Sequence, residues 1–98
     1  IVIGEVREGA PALAMLKAWN TGHPGGLGTI HADSATEIFD RLEELVGEVT
    51  VRPQQRLIIR AVKVAVFIER GEDGTRRVTE IRRPTGYENG EFLTAPIK

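Results

Sequence analysis

"TGHPGGLGTIHAD" (residues 21–33) holds both histidines of this 98-residue chain, four of its eleven glycines and one of its five prolines. Glycine makes the middle of the segment conformationally permissive. The part that follows, "LGTIHA" (27–32), is short, apolar-rich and β-favouring, and reads as a strand with His31 near its end. The fold turns on what precedes that strand.

Upstream, "IVIGEV" (1–6) is a β-branched run, read as the end of a strand over Ile1–Ile3 with Gly4-Glu5 following it. Ala10-Pro11 opens a helix, because a proline fits a first turn where no N–H is needed. Ala12, Leu13, Met15, Leu16 and Trp19 form its apolar face, and Gly22 stops it. Two strands joined by a helical crossover are expected to be parallel.

Downstream, "SATE" (34–37) has the form of a capping box, with Ser34 as cap and Glu37 reaching back. Ile38, Phe39, Leu42, Leu45 and Val46 follow at helical spacing up to Gly47. Pro53 is expected to start a third helix running to Ala61. "VKVAVFIE" (62–69) favours a strand. "GEDG" (71–74) turns the chain, "TRRVTEIRR" (75–83) returns antiparallel, and "GEFLTA" (90–95) adds a strand after a Gly86–Gly90 turn. The order β-α-β-α-α-β-β-β predicts an α/β layer with parallel strands and crossover helices, followed by an antiparallel β meander.

A hydrophobic fraction of 41% and a charged fraction of 28% are ordinary for a globular domain. No apolar run approaches the ~20 residues that span a bilayer, and no signal-peptide pattern opens the chain. Without cysteine there is no disulfide and no thiolate metal site, which fits a reducing compartment. The chain opens on a core-type strand with Ile rather than Met, which suggests a piece of a longer protein. Such a piece is expected to expose apolar surface and to self-associate or take up a partner chain along the Ile1–Ile3 strand edge.

Net charge is −1, unevenly spread. Residues 1–51 carry eight acids and three bases, and residues 52–83 carry nine bases and four acids. Two solvated faces of opposite sign would account for this. So would a head-to-tail contact between copies. A third reading is an Arg-rich interaction module binding nucleic acid or a partner protein. It ranks behind because that part has only Phe67 on its strand as a stacking platform.

Ligands of parallel α/β sheets sit beyond the carboxyl ends of the strands. Glu5 and His31 would reach that edge together. A carboxylate there can orient an attacking water or hold a metal through water. An imidazole can donate to a phosphate oxygen, and Arg7 can neutralise phosphate charge. The set looks like the back half of a nucleotide-hydrolysis site. The front half, G-x-x-x-x-G-K-[S/T], is absent: none of Lys17, Lys63 and Lys98 follows that glycine pattern.

Plainer readings stand beside these. Glu5 can be a solvated strand end, and His23 and His31 loop histidines satisfied by backbone. As a zinc pair the histidines would need Asp33 or Glu5 as a third ligand. Arg76, Arg77, Arg82 and Arg83 read as solvent-facing on a hairpin. Arg52, Arg56 and Arg60, four apart, read as one face of the third helix.

"IVIGEVREG" resembles the Walker B segment of the secretion-type traffic ATPases. "TGHPGGLGTIHADSA", followed by "RLEEL", resembles their histidine box and the helix after it. "KAWNTGHPGG" joined to "TIHA" is the specific part; "GEVR" alone is weak. The likeness is to the TrbB-like conjugal transfer ATPases of type IV secretion systems, and it covers nearly all of the chain. It implies the C-terminal part of a RecA-like P-loop NTPase domain spanning 1–98. Residues 1–49 would carry the Walker B and histidine-box segment, and 50–98 the C-terminal helix and β meander.

The resemblance further implies a parent protein that uses ATP and Mg2+ and assembles as a ring of six. That ring would work with other secretion-system components, docked peripherally on the cytoplasmic face of the inner membrane. Direct nucleic-acid binding is not expected, for the want of stacking platforms noted above. By the resemblance, Glu5 is the Walker B carboxylate near the magnesium and the attacking water. His31 approaches the γ-phosphate, Thr21, Gly22 and His23 form the earlier part of the box, and Arg7 sits beside the site. Gly4 stands where many other ATPases carry a magnesium-binding Asp, a feature this family shares. The family's Walker A loop and aspartate-rich box lie upstream, so the 98 residues alone are expected to be inactive.

Overall fold

Helix α2 (Ala35–Gly47) packs against both other helices and against every strand of the antiparallel sheet. In the computed structural model the described residues are 2–21 and 26–97, with side chains described from residue 4 onward. Before α2 come β1 (Val2–Val6), α1 (Gly9–Asn20) and β2 (Leu27–Ile30). After it come α3 (Gln55–Ala61), β3 (Ala65–Arg70), β4 (Arg76–Glu88) and β5 (Glu91–Pro96). β1 and β2 form a parallel pair, and β3, β4 and β5 an antiparallel sheet in that order. The expected α/β layer with a following meander is therefore present.

The start of α2 is fixed locally. Ser34 Oγ accepts from the Glu37 amide at 3.1 Å, and Glu37 Oε2 accepts from the Asp33 amide at 3.1 Å. The acid reaches back as a capping box requires, to the residue before the cap rather than to the cap itself. Phe39, Leu42, Leu45 and Val46 then lie on one face, each at most 2% exposed. They meet Ala12, Met15 and Leu16 of α1, Ile58 and Ala61 of α3, and Ala65 and Phe92 of the antiparallel sheet. The Phe39 and Phe92 rings are 5.8 Å apart, and Tyr87 stands edge-on to Phe92 at 4.9 Å.

Gly9, the first residue of α1, lets that helix approach the end of α2. A Cβ built there would lie 2.2 Å from the Leu45 carbonyl oxygen, so no other residue fits without a shift of backbone.

Several boundaries differ from the sequence-based expectation. β1 does not end at Ile3 but continues through Glu5 to Val6, because both residues keep pairing with β2 and Val6 enters the core. β2 stops at Ile30 rather than Ala32. α3 begins at Gln55, leaving Pro53 and Arg52 outside the helix. Val62 still bonds its amide to the Ile58 carbonyl at 3.0 Å, which delays β3 to Ala65.

β4 runs on to Glu88 instead of stopping at Arg83. The proline in its middle is tolerated because β3 pairs only with Arg76–Arg82. At Pro84 the strand has no neighbour on that side, and the register with β5 shifts between Pro84 and Gly86. The last turn is Asn89-Gly90, both at positive φ, between Glu88 and Glu91. That is the two-residue hairpin geometry favoured by Asn-Gly, in place of a Gly86–Gly90 turn.

The antiparallel sheet has one covered face and one bare face. Ala65, Phe67 and Phe92 turn towards the helices. On the other side Val66 lies opposite Ile81 and Ile68 opposite Val78, with exposures of 43%, 38%, 56% and 54% respectively. The exposed apolar surface expected at the Ile1–Ile3 edge cannot be located there, since Ile1 and the side chains of Val2 and Ile3 lie outside the described set. Among the described residues exposed apolar side chains include this sheet face, Leu27 of β2, and Val49 and Val51 after α2.

Phe39→Ala is expected to lower unfolding free energy by about 3–5 kcal/mol in a denaturant titration. Gly9→Ala should destabilise as well, because the clash is with backbone. At the β3–β4 turn the Thr75 amide donates to Asp73 Oδ1 at 3.0 Å. This bond and the Thr75 hydroxyl hold the Asp73 carboxyl below its ordinary value of 3.8. The turn is therefore stabilised at neutral pH, and the contribution is lost as pH falls through the depressed value. Thr75 amide exchange, compared with Asp73→Asn across that range, should show it.

Candidate functional site

The rim at the carboxyl ends of β1 and β2 is set by register. Glu5 lies beside Thr29, and Val6 beside Ile30. Residues opposite each other share a face of the sheet, and successive residues alternate. Val6 accordingly turns into the core, while Glu5 and Thr29 are exposed. His31 follows Ile30 directly and is also exposed. The acid and the imidazole thus leave adjacent, co-directional strands at one edge, with Glu5 inside its strand rather than after it.

Arg7, two residues on, turns back to Glu5. Its Nε donates to Glu5 Oε2. Both side chains are open to solvent, at 80% and 36% exposure, so the pair contributes only ~0–1 kcal/mol. What it does is aim the carboxylate and place a guanidinium at the rim.

Thr21 is at the other end of the crossover. Its amide bonds the Lys17 and Ala18 carbonyls at 3.1 and 3.3 Å, and its hydroxyl donates to Ala18 O at 3.1 Å. These contacts satisfy carbonyls at the end of α1. That end meets the start of β2, where a Cβ on Gly26 would lie 1.9 Å from Trp19 Nε1. The four residues of β2, roughly 13 Å of strand, separate it from His31. The described hydrogen bonds of Thr21, expected as a nucleotide contact, are all to α1, and none joins it to Glu5, Arg7 or His31. Gly22 and His23 lie outside the described residues.

His31 also lines a groove of about 450 Å³ with Ala32, Asp33, Glu37, Asp40, Arg41 and Glu44. Three of its carboxylates come from one face of α2, where Arg41 pairs with Glu44 at 3.0 Å. A phosphate entering from that side would meet charge of its own sign. From the β1 side it would meet Arg7 instead.

The α2 N-terminus is partly occupied by protein acceptors. The Asp33 and Glu37 amides bond to Glu37 and Ser34 side chains, and the Ala35 amide donates to Glu80 Oε1 of β4 at 3.2 Å. Among the described residues no three His, Cys, Asp or Glu side chains group as metal ligands; His23, half of the alternative zinc pair, is outside them.

The arginines are arranged differently from the expectation. Arg82 is not solvent-facing: it is half-buried, with Nε donating to Thr94 Oγ1 at 2.7 Å and Nη2 to Thr94 O at 3.2 Å. Arg52 precedes α3, so the helical stripe reduces to Arg56 and Arg60. Arg77 faces Glu69 across β3–β4. Glu80 was not singled out in the sequence. The signal available was its alternation with Arg82, which puts both on one face of a strand.

A family profile described as "Type II/IV secretion system protein" matches residues 1–79. The conjugal transfer protein TrbB of Rhizobium radiobacter is 49% identical over 94 residues, covering 96% of this chain and 28% of its own length. The type IV secretion system protein VirB11 of Bartonella quintana is 32% identical over 87 residues, covering 83% of this chain and 24% of that protein. In structure, the VirB11 ATPase of the Brucella suis type IV secretion system, crystallised with sulphate, superposes with a TM-score of 0.70 at 29% identity. That match covers 83% of this chain and 26% of the other.

The chain belongs to the type II/IV secretion system protein family. Within it the chain is TrbB-like, and it spans about 28% of the length of the TrbB relatives it matches. No described helix is long and apolar enough to cross a membrane.

The contact between Gly26 and the indole can be tested with the chain's single tryptophan. Gly26→Ala should displace Trp19 and red-shift its fluorescence. An unchanged emission maximum would contradict the contact.

Proposed function

We propose that these 98 residues form the C-terminal part of a RecA-like domain in a conjugal-transfer or type IV secretion ATPase. The observation that carries the proposal is the parallel β1–β2 pair: Glu5 lies beside Thr29, and Arg7 and His31 directly follow the last paired residues, Val6 and Ile30, which supports reading the three as neighbours at one strand rim. Family membership and the VirB11 likeness support it independently. The domain unit comprises 1–49, with the Walker B and histidine-box segment, and 50–98.

In this reading Glu5 orients or deprotonates the water that attacks the γ-phosphate, and His31 donates to that phosphate. Arg7 lies beside them and offsets anionic charge. Mg2+ bound with a nucleotide needs only one or two protein carboxylates, because phosphates and waters complete its shell. Glu5 fits that requirement as a single carboxylate acting through water, in competition with its bond to Arg7. The ion's chemistry would be to neutralise phosphate charge. Thr21 is assigned to ending α1, and Gly22 and His23 to the loop leading into β2.

A phosphate-cradling loop must come from outside these residues, so the 98-residue chain alone should not turn over ATP. The parent would hydrolyse ATP as a six-membered ring with other secretion-system components, peripheral to the cytoplasmic face of the inner membrane. The bare apolar face of β3–β5 agrees with a chain that is covered by further polypeptide in the parent.

Glu5→Gln in the full-length parent should cut ATP hydrolysis by roughly 10²-fold or more while nucleotide binding is retained. Hydrolysis at the wild-type rate would overturn the assignment. The isolated chain should self-associate with rising concentration in sedimentation experiments, and a monodisperse monomer would argue against an uncovered face.

A further inference from the structure

Two charged residues of β4 point at the segment that carries His31. Glu80 and Arg82 share the inner face of the strand, where apolar side chains would otherwise pack, and both are half-buried. Neither forms an ion pair among the described residues. Each is instead directed to the first turn of α2, directly or through one intermediary.

Glu80 Oε1 accepts from the Ala35 amide at 3.2 Å, across 45 positions of sequence. Arg82 donates through Nε and Nη2 to the hydroxyl and carbonyl of Thr94. The Thr94 hydroxyl, having accepted from Arg82, lies 3.2 Å from the Thr36 hydroxyl and can donate to it. Strands β4 and β5 thus grip Ala35 and Thr36, which stand four and five residues after His31. On the other side His31 is joined directly to β2. The tetrapeptide 31–34 is held between two anchors, one of them this polar strut.

Turning half-buried charged groups inward only to stabilise a fold is inefficient, since well-packed apolar residues do as well or better. A connected polar network does something else: it favours one geometry. Ser34 and Glu37 already cap α2 locally, so the helix does not need Glu80 in order to start. What the long-range bond adds is a fixed position of the helix start relative to the antiparallel sheet.

We propose that Glu80, seconded by Arg82 through Thr94 and Thr36, is a positioning residue that holds the His31–Ser34 segment against the rim. This rests on the reading of His31 as the phosphate contact, but its test does not. Glu80→Ala in the 98-residue chain should speed Ala35 amide exchange about five- to tenfold relative to core amides of Phe39 and Leu42. It should also shift and broaden the His31 ring signals. Glu80→Gln, which keeps an acceptor oxygen, should restore both. Thr36→Val with Thr94→Val removes the second arm and should broaden His31 without freeing the Ala35 amide, which serves if the alanine variant fails to fold.

His31 signals unmoved in the double valine variant, and Ala35 exchange unmoved in the alanine variant, would overturn the proposal. A rise in exchange equal at Ala35, Phe39 and Leu42 would also overturn it, because that reports global destabilisation. In the full-length parent, Glu80→Ala should lower kcat with KM for ATP little changed. If the spectroscopic effects appear but His31→Ala leaves parental ATP hydrolysis intact, the functional reading of His31 fails while the strut stands.

Discussion

Burial of the apolar face of α2 is the interaction on which the rest of this structure depends. Phe39, Leu42, Leu45 and Val46 are in contact with a core drawn from both other helices and from the antiparallel sheet. The other elements do not assemble around a shared sheet, because the parallel pair and the three-stranded sheet are separate among the described residues. Val6 of the parallel pair and the inner face of the antiparallel sheet nonetheless belong to one core cluster with α2. A residue as close-fitting as Gly9 is needed because α1 must come within backbone contact of the far end of α2.

The position of α2 also decides where chemistry can occur. Its first turn follows the strand rim by four residues, so the packing that fixes the helix sets the direction in which His31 leaves the sheet. Its acidic face bounds one side of that imidazole, and two amides of its first turn, those of Ala35 and Glu37, already donate to protein side chains. An anion is left with the β1 side, where Arg7 stands next to Glu5. Electrostatics and hydrogen-bond occupancy thus select one approach to the rim from geometry that would otherwise permit two.

The two sheets carry different burdens. The parallel pair presents side chains at its end, as expected of a crossover unit. The antiparallel sheet packs one face on α2 and α3 and leaves the other bare. The bare side is lined by opposed β-branched residues, Val66 with Ile81 and Ile68 with Val78.

The amino-acid sequence by itself determined the kinds of elements, the parallel sense of the first two strands and the membership suggested by its motifs. These follow from interactions spanning a few residues: the Ser34–Glu37 cap, apolar spacing along α2, and the helix that must intervene between β1 and β2. Tertiary structure alone decided that Glu5 lies within its strand and that Pro84 sits in a continuous β4. It alone showed that Glu80 and Arg82 turn inward to the start of α2. Those outcomes depend on which segments lie side by side, and a hydrogen bond across 45 positions leaves no periodic trace in the chain that forms it.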